Sequence, residues 1–249
     1  MSVVGMMLGM TRTLVLLHGF TNTGASWEPV AAALPERYRP VAPDIRGHGA
    51  AGDLRPVSPA EVIDDVAALA DGELEVGGYS MGGRLALHIA FALPDRVRRL
   101  ILIGASPGVA DRRERAERCA ADEALADEIE GMTIEEFAEG WARTPVLAGQ
   151  PLAVRAAVSA QRLRNTPAGL AAALRGLGTG ALPSLWERLS GLAIPVDLVV
   201  GERDEKFREV AERMAAALPA ARVHMVPGTG HAVHLENPPA VADIIAHTS

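Results

Sequence analysis

The stretch LEVGGYSMGGRLALHIA, residues 74–90, passes from an apolar run through a serine set among glycines into a helical pattern. Within it, Gly78-Tyr79-Ser80-Met81-Gly82 has the form G-x-S-x-G at a predicted strand-to-helix junction. A turn that sharp leaves no room for a Cβ beside the serine, so glycine is required there. It also pushes the serine out at the carboxyl edge of the sheet, where open α/β sheets bind ligands. The helix beginning just beneath favours developing negative charge. Ser80 is therefore a candidate nucleophile.

The flanks supply the sheet. TRTLVLLHG is an apolar, β-branched run ending in glycine and reads as a buried strand. YRPVAPDIRGHG repeats the pattern, with a strand expected from Val41 to Ile45 and a glycine-rich loop after it. Ser58-Pro59 before AEVIDDVAALA reads as an N-cap and a helix. VRRLILIGAS, IPVDLVVGE and ARVHMVP are further strands; KFREVAERMAAAL and NPPAVADIIAHT are further helices. Fully apolar strands alternating with amphipathic helices predict a mostly parallel sheet covered on both faces. From about Pro107 to Pro183 the alternation stops and four charge-rich helices are expected. The predicted organisation is a core from residues 1–106 and 184–249, with residues 107–183 inserted as a helical lid.

Composition narrows the function classes. A chain of 249 residues, 49% apolar, has ample core for a folded α/β domain. The net charge of −7 argues against a general nucleic-acid binder, which needs a basic face. Cys119 is the lone cysteine, so no internal disulfide forms, as suits a reducing cytoplasm. The opening MSVVGMMLGM lacks a positive n-region, and no apolar run is long enough to insert into a membrane. Met10 is an alternative start.

A serine hydroxyl needs a histidine to take its proton, and the histidine needs a carboxylate to fix its tautomer. On this strand–turn–helix plan the acid and then the histidine follow the serine along the chain. VDLVVGERDEKF ends in a loop carrying Glu202, Asp204 and Glu205, of which Asp204 stands in the acid position. VPGTGHAVHLENP offers His231 and His234. His231 follows Gly-Thr-Gly and is better placed to reach back. The expected set is Ser80, Asp204 and His231, with His234 as the competing histidine. A metal held by His231 and His234 lacks an obvious third ligand.

Arg84 lies four residues after Ser80, on the same helix face. The rest of that helix is apolar, and a buried guanidinium without an anion costs several kcal/mol, roughly. Either an internal acid or a substrate carboxylate should meet it. Arg112, Arg113, Arg115, Arg118, Arg162 and Arg164 add local positive charge in the inserted block. Two of the cluster have ordinary helix partners by spacing, Glu114 with Arg118 and Arg113 with Glu117.

Taken together and in order, LLHGF, DIRGHG, GYSMGG, GERD and GTGH resemble the α/β-hydrolase family. The resemblance implies that Phe20, in the H-G-x turn, and Met81 give the two backbone N–H groups of an oxyanion hole. It implies a structural role for Asp44 to Gly49. A serine in the nucleophile position removes epoxide hydrolases and dehalogenases from the family's many chemistries. GYSMGGR, SPGVADRRERAER, QRLRNTPAGLAAALRGLGTGALPSLWERL and GERDEKF resemble one branch, the 2-succinyl-6-hydroxy-2,4-cyclohexadiene-1-carboxylate synthases of menaquinone biosynthesis. That resemblance implies carboxylate-binding roles for Arg84, Arg118 and Arg162, with Arg164 as the alternative register. It also implies a pocket lined by Tyr79 and Trp141, and no cofactor. Leu147 replaces an aromatic found in some relatives. The implied reaction is a lyase acting on a small polycarboxylate. A serine hydrolase and a non-catalytic binding protein are the competing readings.

Overall fold

The computed structural model of the protein describes residues 11–144 and 150–247. Six strands form a sheet: β1 (Arg12–Leu17), β2 (Tyr38–Val41), β3 (Leu74–Tyr79), β4 (Val97–Ile103), β5 (Val196–Gly201) and β6 (Ala221–Val226). They lie in the order β2-β1-β3-β4-β5-β6, every neighbouring pair parallel. Ten α-helices accompany them among the described residues: α1 (Glu28–Ala33), α2 (Pro59–Ala67), α3 (Met81–Ala92), α4 (Arg112–Glu130), α5 (Ile134–Trp141), α6 (Leu152–Arg162), α7 (Pro167–Leu177), α8 (Glu205–Ala217), α9 (Val233–Glu236) and α10 (Pro238–His247).

The strands alternate as the pleat requires. Val15 and Leu17 of β1, Leu100 and Leu102 of β4, and Leu198 and Val200 of β5 face α2, α3 and α8 through Val66, Leu85 and Met214. The residues between them, Leu14, Leu16, Ile101, Ile103 and Val199, pack on Val30, Val233, Val241 and Ile245 of α1, α9 and α10. Both faces are thus buried, which is why the strands read as continuous apolar runs. Ser58 caps α2 as its sequence predicts, its Oγ accepting from Glu61 N–H at 3.3 Å. The four expected helices of the inserted block are α4 to α7, all lying between β4 and β5. They carry a small core of their own, with Ile129, Phe137, Leu170 and Leu174 at its centre.

One strand differs from expectation. The predicted strand at Val41–Ile45 is instead β2, Tyr38–Val41, and the chain leaves the sheet at Ala42. Pro43 has no N–H to give a ladder. Asp44 turns its carboxylate inward to accept from Gly24 N–H and Ala50 N–H, both at 2.7 Å, so it braces two loops rather than extending an edge strand.

A row of charges crosses the α10 face of the sheet. Arg12 pairs with Glu75 (3.2 Å), Glu75 with Arg99 (3.3 Å), Arg99 with Asp197 (2.8 Å) and Asp197 with His224 (2.7 Å). Arg99 also donates to the carbonyls of Ile244 and Ile245, tying α10 to the sheet. Burial alone would raise the Asp197 carboxyl; its hydrogen bond from His224 and the charge of Arg99 outweigh that and hold it below the ordinary value. Breaking a buried pair strands its partner charge. Asp197→Leu is expected to cost about 3 kcal/mol in urea unfolding. A loss below about 1 kcal/mol would show that the row is dispensable.

The strand order places the site. From β1 the chain crosses to one edge, and from β3 it moves toward the other. The loops after β1 and β3 therefore part and border a crevice at the carboxyl ends of the strands, where such sheets bind ligands.

Candidate active site

Ser80 sits at that crevice with φ 51° and ψ −108°, left-handed backbone in a non-glycine residue. Such strain persists only where surroundings over-determine it. Here Ser80 N–H donates to Ile103 O (2.9 Å), and Ser80 O accepts from Arg84 N–H (3.1 Å) as α3 begins. The flanking glycines are steric necessities. A Cβ on Gly82 would lie 2.1 Å from Leu17 O, and one on Gly78 would lie 2.3 Å from Gly82 O.

Asp204 ends the loop after β5 and caps α8. One carboxylate oxygen accepts from Phe207 N–H at 3.5 Å; the other lies 2.6 Å from His231 Nδ1. The His231 ring is buried between Tyr79 and Phe207, at centroid distances of 5.2 and 4.5 Å. Ser80 and His231 line the same cavity, of about 680 Å³. The acid loop's other carboxylates are occupied elsewhere or exposed: Glu202 accepts from Gly228 N–H (2.8 Å), and Glu205 points to solvent.

His234 does not compete. It is fully buried between Trp27 and Tyr79, at 4.6 and 4.4 Å, and neither ring nitrogen has a hydrogen-bond partner. Burial, then the nearby His231 and His18, pulls it down to about 3, so its ring is neutral. His18 is likewise buried and pulled down to about 4, burial outweighing its contacts with Gly19 O and Asp44. Its Nε2 accepts from Ile45 N–H at 2.9 Å, so Nδ1 carries the proton and faces Gly19 O, also at 2.9 Å. That bond locks the turn carrying Phe20 to the loop after β2. Phe20 and Met81 both line the cavity, Phe20 packing on Trp141 at 5.2 Å.

These buried neutral histidines make stability depend on pH. Burial also holds His48 well below its ordinary value. In the unfolded chain all three titrate near 6.5, so from there down to their folded values the unfolded state binds more protons. Stability then falls with acidification, each histidine steepening the fall. The melting temperature should drop steeply between pH 6.5 and 4.5; a flat profile there would contradict it.

The arginines are where the sequence is least decisive. Arg84 lines the cavity, forms no ion pair among the described residues, and its Nε has no partner. Burial, then the charge of Arg118, lowers it to about 10, with Asp122 acting the other way. Arg162, 3% exposed, reaches the cavity too; its Nε donates to Thr21 Oγ1 at 3.4 Å, and it forms no ion pair among the described residues. Arg164 lines a separate cavity with Glu28 and Asp44, so Arg162 is the inward residue. Asn165 sets that register. Its amide donates to Thr21 O (3.0 Å) and its oxygen accepts from Gly49 N–H (3.0 Å), pinning the end of α6 to both loops.

Arg118 lines the cavity but does not pair with Glu114 as its spacing suggests. It pairs with Asp122 at 2.7 Å, one turn the other way, because Asp122 is buried beneath it and Glu114 faces the cavity. Arg113 and Glu117 pair at 2.9 Å, as expected, on the exposed side. Tyr79 and Trp141 line the cavity, and burial raises the Tyr79 phenol above its ordinary value. Leu147 and Met10 lie outside the described residues. Sequence reasoning missed Trp186, Lys206, Phe207 and Arg213, which complete the cavity wall. The i, i+4, i+7 spacing of Lys206, Val210 and Arg213 on α8 was the available signal.

A family model described as "Alpha/beta hydrolase family" matches residues 14–244. The chain belongs to the alpha/beta hydrolase family. Among the family's members, it is 37% identical over 95% of its length to a Bacillus subtilis (strain 168) protein, covering 89% of that protein, which is provisionally named 2-succinyl-6-hydroxy-2,4-cyclohexadiene-1-carboxylate synthase. It is 33% identical over 95% of its length to the synthase of that name from Salmonella newport, covering 93% of it. The solved structure of MenH from S. aureus aligns with a TM-score of 0.89 at 30% identity, over 95% of this chain and 92% of that one. A thermophilic esterase from Thermogutta terrifontis aligns with a TM-score of 0.77 at 26% identity, over 95% of this chain and 89% of that one. Among the described residues of this family member, no helix is long and apolar enough to cross a membrane.

Proposed function

We propose that this chain is a 2-succinyl-6-hydroxy-2,4-cyclohexadiene-1-carboxylate synthase. It eliminates pyruvate from 2-succinyl-5-enolpyruvyl-6-hydroxy-3-cyclohexene-1-carboxylate. One observation carries the reading: Arg84 and Arg162, neither in an ion pair among the described residues, line the same cavity as Ser80 and His231. A simple ester has no use for buried unpaired cations, whereas this substrate has three carboxylates. Guanidinium forks bind such groups in bidentate pairs. Arg118, its Nε already held by Asp122, offers its remaining N–H groups as a third contact.

In this reading Asp204 fixes the His231 tautomer, leaving Nε2 to take the Ser80 proton. The Ser80 oxygen then removes the proton α to the succinyl ketone, breaking that C–H bond. The backbone N–H groups of Phe20 and Met81 hold the enolate oxygen. The electron pair moves through the ring, a new C=C bond forms, and the C–O bond to the enolpyruvyl group breaks. Pyruvate leaves as its enolate and takes up a proton. No acyl-enzyme forms. The exposed Cys119 suits the reducing cytoplasm in which we place the reaction.

The likeness to an esterase favours one second reading, hydrolysis through a covalent serine intermediate. Two assays on the same preparation separate them: pyruvate release from the enolpyruvyl substrate, read by lactate dehydrogenase, and hydrolysis of p-nitrophenyl acetate. The expected result is rapid pyruvate release with little ester turnover. Rapid ester turnover with no pyruvate would establish the hydrolase and overturn the lyase.

A further inference from the structure

Beyond the three arginines, two cations at the rim of the cavity come from α8. Lys206, Val210 and Arg213 project along one face of that helix, and all three line the cavity. Lys206 and Arg213 are exposed, yet each is laid over an aromatic ring of the wall. The Lys206 ammonium lies 5.7 Å from the Phe207 centroid, and the Arg213 guanidinium 4.5 Å from that of Trp186. Both rings are themselves fixed. Trp186 donates through Nε1 to Gly108 O at 3.0 Å, and Phe207 packs on His231 at 4.5 Å.

Neither cation forms an ion pair among the described residues, although Glu209 stands four residues before Arg213 on α8 and Glu202, in the loop before that helix, four before Lys206; Glu202 accepts from Gly228 N–H. Elsewhere on the surface, exposed arginines do pair, among them Arg98 with Glu73 and Arg113 with Glu117. A side chain held over a ring has already lost part of its rotamer freedom. Two such charges at the mouth of a cavity lined by Arg84, Arg118 and Arg162 focus field on an approaching anion.

We propose that Lys206 and Arg213 form a docking site at the cavity mouth that captures a carboxylate of the incoming substrate and sets which polyanions enter. This rests on the anionic-substrate reading above. The site acts on capture and not on the chemical step, so its signature is kinetic. In K206Q/R213Q, kcat/KM for pyruvate release should fall about ten-fold at low ionic strength, with kcat within about two-fold of the parent. The difference should shrink to about two-fold or less near 0.5 M NaCl, where the screening length is only a few Å. R213K should recover part of the loss seen in R213Q, since the charge stays while the flat stack is weakened.

A second measurement is independent of turnover: calorimetric titration of propane-1,2,3-tricarboxylate into parent and double variant. Affinity should fall about ten-fold in the variant, and the salt dependence of binding should flatten. Equal affinity and equal salt dependence in the two proteins would overturn the docking site. A parent protein that releases no pyruvate yet shows the variant-dependent titration would overturn the lyase and leave the docking site supported. Both substitutions are at exposed positions, and matched melting temperatures confirm that the fold is unchanged.

Discussion

Ser80→Ala is expected to lower kcat for pyruvate release by about 10³–10⁴-fold while leaving KM within a few-fold. The hydroxyl contributes little to binding a substrate gripped by arginines. Its loss removes the base and leaves His231 with no atom placed at the substrate's α-carbon. His231→Ala should cost nearly as much, and the double variant little more than either, because the groups act as one unit. The stability change should go the other way. Ser80 holds φ at 51°, but alanine suffers the same backbone strain, so only the loss of a polar side chain matters and Tm should stay level or rise slightly. A Ser80→Ala enzyme with most of its activity would remove the serine from the reaction and turn attention to a base not yet named. A large fall in KM instead would mean that the serine strains the bound substrate.

How much of this was readable from residues alone depended on how far apart the interacting groups lie in the chain. The elbow is local. Strand, turn and helix follow one another within LEVGGYSMGGRLALHIA, and the glycines announce the close approaches to Leu17 and Gly82 that the fold then enforces. Asp204 and His231 were legible because each ends or follows an apolar strand in the required order. The charge row from Arg12 to His224 was not, since Glu75, Arg99 and Asp197 become neighbours only when β3, β4 and β5 pair. Arg162 against Arg164 could not be decided from periodicity, because both sit where α6 is ending. The choice is made by Asn165 reaching Thr21 and Gly49, more than a hundred residues away. The Glu114–Arg118 pair failed for a related reason. Spacing allows Arg118 to turn toward either Glu114 or Asp122, and only the tertiary fold buries Asp122 under Gly180 N–H.

Arg84 gives the second large effect, and it should split activity from stability. Arg84→Met is expected to reduce kcat/KM for pyruvate release roughly a hundred- to a thousand-fold, the cost of leaving a desolvated substrate carboxylate without its partner. The same change should raise Tm. In the free protein Arg84 is a largely buried cation with an unpartnered Nε and no ion pair among the described residues, and burial and Arg118 outweigh the pull of Asp122, so methionine relieves a standing cost. A structural arginine would behave in the opposite sense, since its removal would break an internal pair and destabilise the fold. Arg84→Lys discriminates further. It keeps the charge but loses the bidentate fork, and should recover only part of the activity. Tricarboxylate binding should weaken in both variants in step with kcat/KM. If Arg84→Met lowers Tm and leaves kcat/KM near the parent value, the guanidinium serves the fold, and the polycarboxylate reading loses the residue on which it most depends.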